Sequence, residues 1–412
     1  MIYFLKQKKI FKKFHKYLTK QNKNYDYFRN ELYFTLFYRK NIYLNSIASF
    51  IRDIFILIGF KKKINESEFF FFTLPTQSGY KIFENIYFFN KKKLLKIPSK
   101  KNKHIVSKSL YFFPTYEFIC SFFSTLKLIN IKKKHGFLIF IYVLRLALIV
   151  NVWKFFFEKN SFKTIKIYLH NDFDIYNAAL LFAIEYKLIK KKIIPICFQH
   201  GIPTDEFFPT KAPLYYVWSK KMKKLYEAQN NKSKISNIKT FSFIKKIKSP
   251  SKIKTKQIDK NLYYISQGHT KMYGWKTNTN LINIFNNISK IYPNTYCLLH
   301  PSENKINNPY NFKLKKNIFN YPHDFTNSDK TKVYICFCST AMLEIMKNQN
   351  IILGINLKVN QSKITFKYFK PPLIINNLNE FPKLFKKLNS NSTCVINIIR
   401  RQNEYLRKLM IE

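Results

Sequence analysis

The amino-acid sequence predicts an α/β protein with two doubly wound domains. From about residue 160, short apolar runs alternate with segments of helical length, a pattern typical of parallel strands joined by crossover helices. A polar and charged interval around Pro250 separates a first series of such units from a second. The length of 412 residues also indicates two domains, because a single hydrophobic core stops growing well below that size. We therefore expect a basic, aromatic, helical N-terminal region over 1–65, an N-terminal domain over 66–245, a linker over 246–259 and a C-terminal domain over 260–412.

The elements of the first half follow from apolar runs bounded by turn residues. The spacing of apolar residues predicts a helix over 47–60 in the N-terminal region. Gly79 lies in the turn after the first predicted strand, and Asn171 or Asp172, and then Ser219, are expected to be N-caps of the helices that follow later strands. The strands of this domain are expected at 68–74, 165–170, 193–199 and 214–218.

The segment 136–157 is apolar and long enough to span a bilayer, and three lysines precede it at 132–134. Arg145 lies in its middle, where inserting a charged side chain into a bilayer costs about 2.5–3.5 kcal/mol. We therefore expect a buried or interfacial helix. A helix on the membrane surface and a true membrane span are the alternatives.

The second half repeats the alternation after the linker. A helix is expected near 278–291, a second over 339–349, and a last one at the C-terminus. The strands are expected at 261–268, 295–300, 332–338 and 351–356.

The net charge of +51 suggests an anionic partner. Only seven of the 73 basic residues are arginine, the residue that reads bases and grips phosphate in a fork, so a specific nucleic-acid partner is not expected. An anionic membrane surface fits better, at about 1 kcal/mol per basic residue near the surface. The six cysteines form no CxxC pair, and the N-terminus has no apolar core of secretory length, so we expect a cytoplasmic protein.

Candidate site residues are those that follow the predicted strands, because ligands of doubly wound sheets bind beyond the carboxyl ends of strands. In the first domain Asp172, His200 and Glu206 are the catalytic candidates, and Gly79 and Gly201 lie on the acceptor side. In the second domain the expected donor-binding residues are Gly268, Thr270, His300, Pro301, Ser339, Thr340 and Glu344.

These residue types suit group transfer. A neutral imidazole at His200 is matched to accept a proton from a hydroxyl nucleophile, although a histidine that bonds across a turn is the plain alternative. Ser339 and Thr340 stand where a strand turns into a helix, a position that suits a phosphate and equally suits an N-cap. Asp172 and Asp174 match a short D-x-D metal motif, but this spacing is common at helix starts. We expect no metal and no cofactor.

The motifs QHGIP, HP and ST follow strands in that order along roughly 165–376. In this the chain resembles bacterial surface-polysaccharide transferases of the GT-B fold, in which two Rossmann-like domains face a cleft. Two branches are similar, the HP-motif sialyltransferases with related Kdo and capsule transferases, and the CDP-glycerol glycerophosphotransferases. The resemblance implies that His200 acts as or near the catalytic base and that His300, Ser339 and Thr340 hold donor phosphate.

The sequence departs from both branches. It has no acidic-acidic-Gly motif, which supplies the base in HP-motif sialyltransferases, and Cys-Ser-Thr at 338–340 replaces Asp-Tyr-Ser-Ser of the glycerophosphotransferases. The resemblance implies an inverting, metal-independent glycosyltransferase, peripheral to the inner face of the membrane. It would move a sugar from a nucleotide-sugar donor, CMP-linked in preference, to a surface polysaccharide, lipooligosaccharide or lipid-linked glycan. The alternatives are a CDP-glycerol-type glycerophosphotransferase, a basic nucleic-acid-binding protein and an inactive transferase kept as an assembly partner.

Overall fold

The structure is a computed structural model of the 412-residue chain. It describes residues 42–58, 69–73, 94–96, 136–158, 164–199, 208–230, 237–241, 257–266, 275–299, 330–337, 341–355 and 380–411, together with 27, 201, 310, 318–319, 339, 371 and 373–376.

Six strands of the N-terminal half form one sheet. They are β1 Phe69–Thr73, β2 Leu94–Lys96, β3 Thr164–Leu169, β4 Lys192–Phe198, β5 Leu214–Val217 and β6 Asn237–Thr240. Their order across the sheet is β2-β1-β3-β4-β5-β6, and all neighbours pair in parallel.

Six further strands form a second parallel sheet. They are β7 Ile258–Ile265, β8 Thr295–Leu298, β9 Ile318–Phe319, β10 Thr331–Cys336, β11 Ile351–Ile355 and β12 Leu373–Ile375. Their order is β12-β11-β10-β7-β8-β9. The prediction of an α/β protein with two doubly wound sheets is confirmed.

The helices among the described residues are α1 Ile42–Ile58, α2 Gly136–Glu158, α3 Ile175–Glu185, α4 Lys220–Asn230, α5 Trp275–Ile291, α6 Ala341–Lys347, α7 Phe381–Ser390 and α8 Ser392–Ile411. Most residues of β4, β10 and β11 are apolar, because helices cover both faces of such a sheet. All five positions of β11 are buried, for example.

Each sheet has one place where the direction of strand addition reverses. In the first sheet β2 lies on one side of β1, and β3 to β6 extend on the other. In the second sheet β8 and β9 extend to one side of β7, and β10 to β12 extend to the other. Ligands of open parallel sheets bind at the carboxyl ends of the strands beside such a reversal. The segments that leave β3, β7 and β10 are therefore candidates for a binding site.

The C-terminal helix α8 connects the two apolar cores. Its first half packs through Ile398 and Ile399 into the cluster formed with α5, α7 and one face of the second sheet. Its second half packs through Leu406 and Leu409 into a cluster that also holds the core of the first sheet. Contacts of α8 with α4 belong to the same connection.

Helix α2 is an internal element of the first domain. Arg145 is fully buried, and its Nε donates to Oδ2 of Asp53 on α1 at 2.7 Å. The hydroxyl of Tyr176 on α3 donates to Oδ1 of the same carboxylate at 2.9 Å, so three helices meet at one buried charge pair. This confirms the buried-helix interpretation of 136–157. Among the described helices, none meets the length and hydropathy of a membrane span.

Several element boundaries differ from the prediction. Helix α1 begins five residues earlier than expected, and β7 begins at Ile258, inside the predicted linker. The last helical segment is two helices, α7 and α8, separated at Asn391. Strand β6 was not predicted, because Ile238 is its only buried side chain and an edge strand of this kind has no apolar run.

Candidate functional site

The chain that leaves β3 forms a tight polar turn at the carboxyl edge of the first sheet. Asn171 Oδ1 accepts hydrogen bonds from the backbone N–H groups of Phe173 and Asp174 at 3.1 and 3.0 Å. Asp174 Oδ1 in turn accepts from the N–H of Tyr176 and of the residue after it, so Asp174 is the N-cap of α3. The prediction that Asn171 or Asp172 caps this helix is wrong, because the Asn171 side chain is used in the preceding turn.

Asp172 is almost fully buried, with 1% of its surface exposed. Its Oδ2 accepts hydrogen bonds from the backbone N–H of Lys211 and, at 3.3 Å, from that of Ala212. These bonds tie the end of β3 to the segment that leads into β5. Such a carboxylate is well placed to hold the edge of the sheet in shape, and its predicted role in catalysis stays a prediction.

The side chains buried around Asp172 are neutral. Burial first, and then the negative charge of Asp172, raises the pKa of the Cys197 thiol well above its ordinary value of 9.0. Burial likewise raises the pKa of Tyr215 and Tyr226 well above 10.0. Cys197 therefore packs as a small apolar group and is not a thiolate nucleophile.

Gln199 fixes the turn that follows β4 and acts as a clamp on both sides of His200. Its role was not predicted from the sequence. Its side chain is fully buried; Nε2 donates to the carbonyl oxygen of Gly201 at 3.0 Å, and Oε1 accepts from the backbone N–H of Trp218 at 3.2 Å. The indole Nε1 of Trp218 donates to the Gln199 carbonyl oxygen at 2.7 Å. Both neighbours of His200 in the sequence are thus held in place. A buried glutamine directly after an apolar strand is the signal that could have identified this clamp.

The second sheet offers hydroxyl groups at the strand ends beside its reversal. Ser266 follows β7, is buried, and shares a hydrogen bond of 2.6 Å with the hydroxyl of Tyr310. Ser339, which follows β10, is partly exposed, and its Oγ accepts from the backbone N–H of Ala341 at 3.2 Å. Ser339 therefore caps α6, while its own hydroxyl proton remains able to point to a ligand.

The register of the second sheet brings three of these strand ends to one level. β7 pairs with β8 through Ile265 and Leu298, and with β10 through Tyr264 and Ile335. The segments after β7, β8 and β10 therefore leave the sheet side by side at its carboxyl edge. These are the segments in which the donor-binding residues were predicted.

The structure describes four of the predicted site residues. Asp172 and Gly201 lie at the edge of the first sheet, Ser339 lies at that of the second, and Glu344 is a partly exposed residue of α6. The other predicted residues lie outside the described ranges, and their roles stay predictions: Gly79, His200, Glu206, Gly268, Thr270, His300, Pro301 and Thr340. Among the described side chains no group of three or more His, Cys, Asp or Glu residues could hold a metal ion.

Comparison with known proteins finds solved structures of similar shape but no relatives by sequence. No family model and no curated protein matches the chain. A crystal structure of TarM matches at 17% identity and a TM-score of 0.37, over 65% of this chain and 55% of that one, so this chain spans about half the length of TarM. The glycotransferase of kitacinnamycin matches at 6% identity and a TM-score of 0.45, over 83% of this chain and 95% of that one. MnaA from S. aureus with UDP matches at 11% identity and a TM-score of 0.42, over 84% and 98%. The fold assignment rests on the strand orders themselves.

Proposed function

We propose that the chain is a GT-B glycosyltransferase that binds a nucleotide-sugar donor at the carboxyl edge of its second sheet. The observation that carries the proposal is the reversal of strand order between β7 and β10, because nucleotides bind at such a reversal in doubly wound sheets. Ser339 follows β10 and keeps a hydroxyl proton to donate to a phosphate oxygen. Gly268, Thr270 and Thr340 are the proposed neighbours of the donor.

The proposed reaction is a single displacement with inversion. The acceptor hydroxyl loses its proton to His200 as its oxygen forms a bond to the anomeric carbon of the sugar. The bond from that carbon to the donor phosphate breaks, and its electron pair leaves on the phosphate oxygen. The negative charge on the leaving phosphate is stabilised by hydrogen bonds from Ser339, Thr340 and His300. The clamp by Gln199 supports a positioned base, since it fixes the turn on both sides of His200.

In more detail, we propose that the donor is a CMP-linked sugar and that the acceptor is a surface polysaccharide, a lipooligosaccharide or a lipid-linked glycan. The protein would be cytoplasmic and peripheral to the inner face of the membrane. CDP-glycerol is the alternative donor, with His200 activating the same kind of hydroxyl. A thermal-unfolding screen with CMP, CDP and UDP tests whether the protein binds a nucleotide and which one, because a ligand at 100 times its Kd stabilises by about 2.7 kcal/mol. Stabilisation by none of the three would contradict the proposal.

Two serine variants test the donor site against a matched control. Ser339 and Ser219 both accept a hydrogen bond from the N–H of a following helix, the first at α6 and the second at α4 through Met222. Loss of either cap costs about 1 kcal/mol of stability. We expect Ser339→Ala to weaken nucleotide binding about 10-fold, the scale of a hydrogen bond to a charged group, and Ser219→Ala to leave it unchanged. Equal nucleotide affinity in both variants would remove Ser339 from the donor site.

The base is tested separately. We expect His200→Ala to fold and bind nucleotide normally, and to lose about 100-fold or more in turnover, the usual scale for a general base. Unchanged turnover would remove His200 from the mechanism.

A further inference from the structure

Among its described side chains, helix α1 buries three polar groups and exposes two large aliphatic ones, while Phe50 packs against the core. Ser46, Ser49 and Asp53 are buried, with exposures of 0, 5 and 0%, and their spacing of three and four residues puts them on one face of the helix. Leu44 and Ile51 lie on the opposite face and are 69 and 47% exposed. A surface helix that packs only against its own protein shows the reverse arrangement.

A buried ion pair holds the helix in this orientation. Asp53 is bonded to Arg145 of α2 at 2.7 Å and to Tyr176 of α3 at 2.9 Å. Rotating α1 to bury Leu44 and Ile51 would leave the Arg145 guanidinium in the core without its carboxylate, which costs more than the burial of two apolar side chains gains. The apolar face is therefore kept at the surface.

We propose that this outward face, defined by Tyr43, Leu44, Ala48 and Ile51, docks on an anionic membrane surface. Charge complementarity identifies the occupant. The chain carries a net charge of +51, and the side chain of Arg52, which borders the face, is 53% exposed. A second copy is the poorer partner, since two chains of this charge repel each other. A helix with an apolar face beside basic residues lies in the plane of an anionic bilayer interface.

The proposal deepens the membrane-peripheral part of the proposed function by naming the surface, and it rests on that part. It does not depend on the transfer reaction. Docking through α1 sets the first sheet beside the bilayer, because α1 is fixed to α2 and α3 through Asp53. A lipid-linked acceptor would then reach the protein without leaving the membrane.

Cosedimentation of the full chain with vesicles tests the surface. The variant Leu44→Asp/Ile51→Asp places charge on the apolar face, and Leu188→Asp is the matched control, because Leu188 is 40% exposed on the turn after α3. We expect the wild type to bind vesicles of phosphatidylcholine with phosphatidylglycerol and to bind pure phosphatidylcholine far more weakly. The double variant should bind about 10-fold or more weakly, the scale of two part-buried apolar side chains, and the control like the wild type. All three should unfold at similar urea concentrations.

Three results would overturn the proposal. They are no binding of the wild type to anionic vesicles, equal binding to neutral and anionic vesicles, or wild-type binding by the double variant. Sedimentation velocity without lipid adds a fourth, because a dimer lost only in the double variant would assign the face to a second copy. Stabilisation by nucleotide is measured on the same samples. Vesicle binding without stabilisation by nucleotide would contradict the proposed transferase and support the membrane surface. Stabilisation by nucleotide without vesicle binding would support the transferase and contradict the membrane surface.

Discussion

Replacement of Arg145 by methionine tests the buried ion pair that joins α1, α2 and α3. Both Nε and Nη2 of Arg145 lie 2.7 Å from Oδ2 of Asp53, and the two side chains are 1 and 0% exposed. Removing one member of such a pair leaves the other charge buried and costs about 3–5 kcal/mol. Tyr176 still donates to Asp53, so we expect Arg145→Met to lose about 3 kcal/mol, at the lower end of that range.

A second arginine at the same carboxylate provides the control. Arg52 Nη2 lies 3.2 Å from Oδ1 of Asp53, but its side chain is 53% exposed. An exposed pair contributes about 0–1 kcal/mol, so Arg52→Met should change stability little. The double variant Asp53→Leu/Arg145→Met removes both buried charges and should recover at least half of the loss, because apolar replacement of a buried pair is often neutral.

Equilibrium unfolding in urea, followed by tryptophan fluorescence, measures these differences. Trp153 of α2 contributes to the signal, and its Nε1 donates to the carbonyl oxygen of Tyr176 at 3.0 Å, beside the pair. The reasoning is refuted if Arg145→Met and Arg52→Met lose stability to within about 1 kcal/mol of each other, since burial would then make no difference.

Three further predictions concern the clamp after β4, the anchor of α8 and the buried tyrosines. Gln199→Ala should keep nucleotide stabilisation but lower kcat about 10-fold or more, because a displaced turn misplaces His200; an unchanged kcat would contradict this. Gln402→Leu should lower the free energy of unfolding in urea by about 2 kcal/mol or more, because the Gln402 side chain accepts from the N–H of Ile352 at 2.9 Å and donates to the carbonyl oxygen of Asn350 at 2.7 Å. A smaller loss would indicate that water replaces these two hydrogen bonds. Burial raises the pKa of Tyr176 and, to about 12, that of Tyr263. Unfolded tyrosine ionises near pH 10, so the tyrosine contribution to stability should be constant below that pH. Above it, stability should fall by up to about 1.4 kcal/mol per pH unit per tyrosine, and Tyr176→Phe should reduce the slope. A flat profile between pH 10 and 11 would contradict the burial.

The central strands could be predicted because the pattern that identifies them lies within each strand's own residues. β3, β4, β10 and β11 are apolar runs, and a strand covered on both faces leaves that signal in the sequence. Strand β6 left none, because Ile238 alone is buried and the remaining positions face solvent. The N-cap of α3 was misplaced by two or three residues, since Asn171, Asp172 and Asp174 are all good capping residues and only the geometry of the turn decides between them.

Contacts between distant residues could not be predicted in this way. Arg145 was recognised as costly in a bilayer, but its partner Asp53 is 92 residues away and nothing local links the two. The same holds for Asp172, whose carboxylate accepts from backbone groups 39 and 40 residues later. For the candidate site, the rule that ligands bind beyond strand ends selects the carboxyl edge of each sheet, and this choice stays a prediction. The roles of His200 and His300 stay predictions, since both lie outside the described residues.

Hydrogen–deuterium exchange with and without nucleotide tests most directly that the second sheet holds the donor. With CMP or CDP at saturation, we expect slower exchange in the peptides that cover 266–270 and 337–343, which follow β7 and β10. The corresponding peptides of the first sheet, over 170–174 and 199–201, should change less. Protection confined to the first sheet, or no protection with either nucleotide, would contradict the proposed donor site.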